Sequence, residues 1–345
     1  TGVQTCALPI FLIKHMEKIM KFLNLAVSAV ALAAVALPAS AATTLRIQTH
    51  QGADSPAGQL YKIWEDDVET MSNGSLDIEM FYSSSVVGSV ETFDAAANGI
   101  LDCDMTGGAY QTGKNPAFQF VGDVMGGYDT AWQQYSWLYY GDGYAAAQEL
   151  YNKFGMQLIG WTVFGHESLS SSKPIRGFED LKNWKFRSPP GLETEIFTGL
   201  GASPIVMDFT EIFTALETGI IDGADASSLA NNVGLGLYDL VSHATYPGFH
   251  SMPADHLACN KVVWDGLEES QRRIIETAMQ KVSMHAALQN EKKNAEAVVM
   301  LKAKGVTLHD WSDADRSKFR EIAQEAWNGW AAKTPEAAAL VASHR

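Results

Sequence analysis

Residues 183–197 read N-W-K-F-R-S-P-P-G-L-E-T-E-I-F, from Asn183 to Phe197. W-K-F-R is a short apolar strand ending at Arg187, S-P-P-G is a rigid turn, and Leu192 to about Leu200 is a helix stopped by Gly201. Strand, turn and helix in that order are a unit of an α/β protein. In open α/β sheets ligands bind beyond the carboxyl ends of the strands, where Arg187 sits. A planar guanidinium there can take a carboxylate through two parallel hydrogen bonds. The plainer reading is a surface ion pair in an acidic chain. On the residues alone both stay open.

The same alternation runs outward in both directions. T-T-L-R-I-Q-T-H, residues 43–50, alternates as a strand, and Ser55-Pro56 then caps a helix carrying Leu60, Ile63, Trp64, Val68 and Met71, with Gly74 past its end. The strand L-D-I-E-M-F-Y, a short helix from about Ser89 to Asn98 and the strand I-L-D-C-D-M follow. After a helix-rich aromatic stretch from Trp132 to Tyr151 come the strands M-Q-L-I-G-W-T, S-L-S-S-S and W-K-F-R. Asp208 with Glu211 opens another helix in a capping-box arrangement, and I-I-D-G-A-D forms a further strand. Strands separated by helices predict an α/β fold with mainly parallel sheets.

Leu267 to Lys304 contains neither Gly nor Pro, and Ile274, Ile275, Ala278, Val282, His285 and Leu288 form a helical stripe. An unbroken helix of that length runs roughly 57 Å, longer than one small domain is wide, so it would touch two. Two helices with an unmarked break are the alternative.

The first ten residues, TGVQTCALPI, resemble a translated sequencing adapter, so residues 1–15 are read as a leader foreign to the protein and Met16 or Met20 as its start. Lys18 and Lys21, an apolar run from Phe22 to Leu37 and P-A-S-A-A make residues 16–41 a secretion signal peptide cut after Ala41. The run is too short for a membrane anchor, which needs about 20 residues. Without Lys14, Lys18, Lys21 and Glu17 the formal charge goes from −15 to −17. A field of that sign argues against nucleic acid or anionic lipid as partner, while a small anion remains acceptable where local cations receive it. Cys103 and Cys259 are the cysteines of the remaining chain; a single bridge between them in an oxidising compartment is one reading, but because both lie in apolar strand-like runs they are expected to be buried free thiols.

Other motifs fall away. H-E-S-L-S at His166 lacks the second histidine of a zinc helix. G-L-G-L-Y-D at Gly234 has Asp239 where a dinucleotide fingerprint wants glycine. Neither G-x-S-x-G nor a P-loop occurs. Asp225, at the end of I-I-D-G-A-D and ahead of A-S-S-L-A-N-N, either lines an oxygen-rich polar pocket able to take a cation or caps the next helix.

A strand-end arginine before a turn, then E-I-F-T-A-L-E-T-G-I-I-D-G-A-D, G-L-Y-D and a long helix together resemble the extracytoplasmic solute receptors of TRAP transporters over nearly the whole mature chain. The resemblance implies that Arg187 binds the substrate carboxylate. N-N-V-G-L-G-L-Y-D and T-Y-P-G-F-H resemble more narrowly the receptors for 2-oxo and 2-hydroxy monocarboxylates. That branch implies a sodium or calcium ion between receptor and ligand, an acid at Asp225 and an amide near Asn231, with no other cofactor. The aromatic residue expected after the acid is replaced by Ala226, and the expected glutamine by His166 or Glu167. Tyr110 matches an aromatic position near the ligand; Tyr246 and His250, in Y-P-G-F-H, belong either to the ligand site or to a homodimer contact.

The expected protein is thus a two-lobed periplasmic binding protein of α/β class, soluble in the periplasm, closing on a small organic acid and delivering it to the small and large TRAP membrane subunits. The expected lobes are residues 43–165 with 253–292, and 166–252 with 293–345. A secreted enzyme using His166, Glu167 and Asp225, or a ligand-binding partner of a chemoreceptor, are the rivals.

Overall fold

The computed structural model describes residues 1–2 and 42–345. The leader and signal-peptide readings fall on residues 3–41 and lie outside the described residues. In chain order the strands are β1 Thr43–Thr49, β2 Leu76–Phe81, β3 Cys103–Met105, β4 Met156–Val163, β5 Ser170–Ser171, β6 Lys185–Ser188, β7 Ser203–Val206, β8 Gly223–Ala224, β9 His243–Thr245, β10 Ala254–Asn260 and β11 Thr307–His309. The helices are α1 Pro56–Met71, α2 Thr92–Ala97, α3 Phe118–Gly122, α4 Ala131–Tyr140, α5 Gly143–Asn152, α6 Leu192–Gly199, α7 Ile212–Glu217, α8 Leu229–Gly234, α9 Lys261–Gly266, α10 Glu269–Lys304, α11 Asp313–Ala331 and α12 Pro335–Ser343.

Local sequence chemistry places these elements well. Ser55 caps α1, its side chain accepting from the Gly58 N–H, with Pro56 in the first turn. Asp208 and Glu211 form both halves of the capping box ahead of α7. The long helix is unbroken at 36 residues, about 54 Å. Its buried face is Ile275, Ala278, Met279, Val282 and Ala286 rather than the full stripe read from the sequence, since Leu288 is half exposed.

The strands form two sheets, ordered β2-β1-β3-β10-β4 and β11-β9-β5-β8-β6-β7. The expectation of mainly parallel sheets holds by a narrow majority, five of the nine strand pairings being parallel. β10 runs antiparallel to β3 and β4, and β5 antiparallel to β8 and β9, so both sheets are mixed. Strand periodicity reports which side chains are buried but carries no direction. The chain leaves the first sheet after β4 and re-enters it through β10, which is why β10 lies between strands laid down earlier.

That order makes two lobes. The early part of α10 packs Ile275 to Ala286 into the core under the first sheet, while Ala297 and Leu301 further along belong to the core of the second. The helix therefore spans both, as its length implies. The C-terminal segment divides differently from the expected boundary. Trp137 Nε1 donates to Ser343 Oγ at 2.9 Å and Lys153 Nζ to Glu336 Oε1 at 2.8 Å, so α12 packs on α4 and α5 of the first-lobe side.

The cysteines also depart from expectation: Cys103 and Cys259 form a disulfide, not free thiols. The two are directly opposed in the antiparallel β3–β10 pair. Apolar flanks predict burial correctly, but a cross-strand partner 156 positions away has no trace in local sequence.

Candidate functional site

Arg187 is the penultimate residue of β6, between β7 and β8, opposite Ile205 and Ala224. Behind it Trp184 and Phe186 stack with ring centroids 4.3 Å apart, holding the strand against the core. Gly191 begins α6 at φ 122°, a backbone that favours glycine, and a Cβ there would lie 2.5 Å from Gln119 Oε1. That oxygen accepts from the Leu192 N–H at 2.9 Å, so the turn after Arg187 is pinned from across the molecule.

The guanidinium is 2 % exposed. Nη1 donates to the Asp225 carbonyl at 2.8 Å, Nε to the Met207 carbonyl at 3.4 Å and Nη2 to Tyr110 Oη at 3.5 Å, and Cζ lies 5.7 Å from the Phe209 ring centre. Among the described residues no carboxylate oxygen lies within 4.0 Å of it. The surface ion-pair reading is excluded by that burial. Carbonyls and aromatic groups, rather than an acidic side chain, hold this buried cation.

Arg187 and Tyr110 line a cavity of about 50 Å³ together with Glu167, Asp225, Ser227 and Ser228 on one side and His50, Gln51, Phe164 and Asp255 on the other. Asp225 follows β8. Its Oδ1 is 3.1 Å from His250 Nε2, and its Oδ2 has no hydrogen-bond partner. The cap of α8 is Ser228, so the helix-cap reading of Asp225 does not hold. Glu167, Glu193, Asp225 and His250 are all buried, and each offers a ligand atom within 4.8 Å of the others. Glu193 comes from the first turn of α6, and neither of its oxygens has a partner.

Three carboxyls so close cannot all ionise freely. Burial, then repulsion from Asp225, pushes Glu167 and Glu193 well above the ordinary range. Burial works in the same direction on Asp225, but attraction to His250 and the hydrogen bond with it bring it down to about 2. Asp123 beside them is pushed up to about 6, chiefly by burial. The cluster therefore holds protons unless a cation takes their place.

The remaining sequence candidates separate. His250 is fully buried behind Asp225. Asn231 does not line the cavity; its Nδ2 donates to Gln51 Oε1 at 3.0 Å and to Ser227 Oγ at 2.9 Å, and its Oδ1 accepts from the Ala57 N–H at 3.2 Å, tying the lobes together. His166 turns away, with Nε2 3.2 Å from the Asp129 carbonyl, in a surface groove with Arg316 and Arg320. Tyr246 lines a neighbouring groove with Pro247 and Asn294. Neither reaches the cavity.

Sequence reading missed His50, Gln51, Glu193 and Asp255. His50 and Gln51 follow β1, the same strand-end position that singled out Arg187. Asp255 is an acid inside an apolar strand, a visible anomaly. Glu193 stands two residues after the turn glycine and gives no local sign of burial.

A second link joins the lobes. Asp208 accepts from the Ser89 N–H and, at 2.9 Å, from Ser89 Oγ, while also accepting from the Thr210 N–H. One carboxylate thus holds the chain ahead of α2 and the chain ahead of α7 together.

Comparison with known proteins gives this geometry its class. Residues 47–334 match the family described as bacterial extracellular solute-binding protein, family 7. A monocarboxylate 2-oxoacid-binding periplasmic protein of Nostoc sp. (strain PCC 7120) is 30 % identical over 277 residues, 77 % of this chain and 73 % of that protein. A TRAP periplasmic solute-binding protein from Rhodobacter sphaeroides, solved in an apo open form, is 33 % identical with a TM-score of 0.68, covering 88 % of this chain and 96 % of that one. Another from Pseudoalteromonas atlantica T6c, with bound sodium and pyruvate, is 26 % identical with a TM-score of 0.78, covering 88 % and 92 %.

The chain belongs to the bacterial extracellular solute-binding proteins of family 7, the two-lobed receptors of TRAP transporters. Its role is to receive a solute for such a transporter. Among the described residues no helix is long and apolar enough to cross a membrane.

Proposed function

We propose that this receptor works in the periplasm, captures a small monocarboxylate through Arg187, and holds sodium or calcium at Asp225, Glu167 and Glu193 beside it. The observation that carries the reading is a buried guanidinium, without an acidic partner, facing a small cavity. About 50 Å³ holds only a few waters, so the acid has a few carbons rather than the size of a sugar acid. The unpartnered oxygens of Glu193 and Asp225 fit an oxygen-preferring cation, which would replace the cluster's protons and attract the ligand.

The moving bodies in this proposal are residues 43–165 with 253–292, and 166–252 with 293–331, with α12 riding on the first. Overall similarity is higher to the pyruvate-bound neighbour than to the open one despite its lower identity, which supports a closed arrangement here. Thermal-shift measurement against acetate, glycolate, lactate, pyruvate and larger sugar acids tests the reading. Stabilisation by the small acids alone is expected, and stabilisation only by sugar acids overturns it.

Two further outcomes follow. Folded Glu167 and Glu193 keep protons that the unfolded chain releases above about pH 4.5, so without cation the protein binds more protons folded than unfolded. Its stability should fall as pH rises above that value, and calcium or sodium should flatten the decline. Melting curves between about pH 5 and about 8, with and without chelator, read this directly. At the acid end, stability from Asp225 is lost as pH falls below 3.8 toward about 2. Separately, Asp208→Ala removes the two bonds to Ser89 and should weaken ligand binding about 10-fold by favouring the open lobes. An unchanged affinity in calorimetry would show that this contact does not hold closure.

A further inference from the structure

Asp255 stands on β10, in the cavity wall opposite the cation cluster, and neither the anion clamp nor the cation reading uses it. It is 7 % exposed. Its nearest donors are Gln51 Nε2 at 3.5 Å from Oδ2 and the His50 ring, whose Nε2 is 3.6 Å away. The first distance is at the outer limit for a hydrogen bond.

The second contact is weaker still, because the surrounding network fixes the histidine. Asn231 Nδ2 donates to Gln51 Oε1 at 3.0 Å, which turns the Gln51 amide nitrogen toward His50 Nε2 at 2.9 Å. An amide nitrogen only donates, so His50 Nε2 accepts and the ring carries its proton on Nδ1. Burial, the largest influence on His50, disfavours a second proton on the ring. His50 Nε2 therefore has nothing to give Asp255. A buried carboxylate facing a ligand cavity is left short of donors, at a position set by residues from both lobes.

We infer that Asp255, positioned by Gln51 and Asn231, is a specificity-determining acceptor that selects small acids carrying a hydroxyl group over their 2-oxo counterparts. A keto oxygen sets lone pairs against the carboxylate, whereas a hydroxyl supplies the missing donor. An ammonium group must be stripped of its water to enter this wall, so a hydroxyl suits the position better. The inference rests on the proposal that a small acid docks on Arg187, and it adds which acid.

Calorimetry with L-lactate and pyruvate, at fixed calcium, tests it. The wild-type protein should bind lactate about 10-fold more tightly than pyruvate. Asp255→Ala should collapse that ratio to about one, through lactate, with pyruvate changed by less than about threefold. Asp255→Asn has the same shape and serves if the alanine variant does not fold. Its amide can donate to a keto oxygen, so it should bring pyruvate level with lactate or ahead of it. Wild-type binding of pyruvate as tightly as lactate, or a ratio untouched by both variants, overturns the role of Asp255 and leaves the carboxylate clamp standing. Tight binding of L-alanine that Asp255→Asn abolishes would overturn it in favour of an ammonium ligand. Failure of every small acid to bind wild-type protein overturns the proposed function itself, and this inference with it.

Discussion

Arg187→Ala is expected to lose ligand binding by about 30- to 5,000-fold, the equivalent of roughly 2–5 kcal/mol for removing one partner of a desolvated charge pair. The figure is large because nothing nearby can substitute. Among the described residues lining the cavity, Arg187 is the one permanent cation, set amid Glu167, Asp225, Asp123 and Asp255. Without it a carboxylate would enter a cavity walled by acids. Arg187→Lys should recover little, since one ammonium cannot both hold the Asp225 and Met207 carbonyls and present two parallel donors. Titration calorimetry with the best acid of the thermal-shift panel decides this. Near wild-type affinity in both variants would reduce Arg187 to a brace for the Asp225 carbonyl.

The other large effect is on stability. Replacing both cysteines, Cys103→Ala with Cys259→Ala, frees a loop with a sequence separation of 156. Loop-closure entropy for that length is about 5 kcal/mol, and native bonds commonly deliver about 2–5. For a folded body of 304 residues, 42–345, that corresponds to a fall in melting temperature of roughly 3–8 °C. Ligand affinity should change little, because the bond lies within the first sheet and neither cysteine lines the cavity. A differential scan of the two proteins makes the comparison. Equal melting temperatures, together with two titratable thiols in the oxidised wild type, would restore the free-thiol reading.

How far the site was legible in the sequence depended on how local each residue's cause is. Arg187 could be found because strand, turn and helix follow one another within fifteen residues, and the strand-end rule then supplies a role. Asp225 could be found by the same rule. The sequence offers His166 or Glu167 for one position and cannot choose between them, whereas successive residues of an extended segment point opposite ways. Glu167 lines the cavity and His166 faces the outer groove. Tyr246 failed for a similar reason: it shares a motif with His250, which contacts Asp225, but stands four residues away on another surface. Asn231 stands behind the cavity wall and contacts Gln51 and Ser227 instead, a distinction no motif contains.

By itself the sequence determined the alternating elements, the caps at Ser55 and Asp208 and the placing of Arg187 at a strand end. All of these depend on neighbours a few residues apart, where hydrophobic period, capping chemistry and the fixed geometry of proline and glycine act. Only the tertiary structure decided the direction of β5 and β10, the Cys103–Cys259 bond, the joining of Glu193 from α6 to Glu167 and Asp225, and the facing of Asp255 across the cavity. Those pairings join segments tens to hundreds of residues apart. Their energies come from burial and charge at close range, which exist only once the chain has brought the groups together.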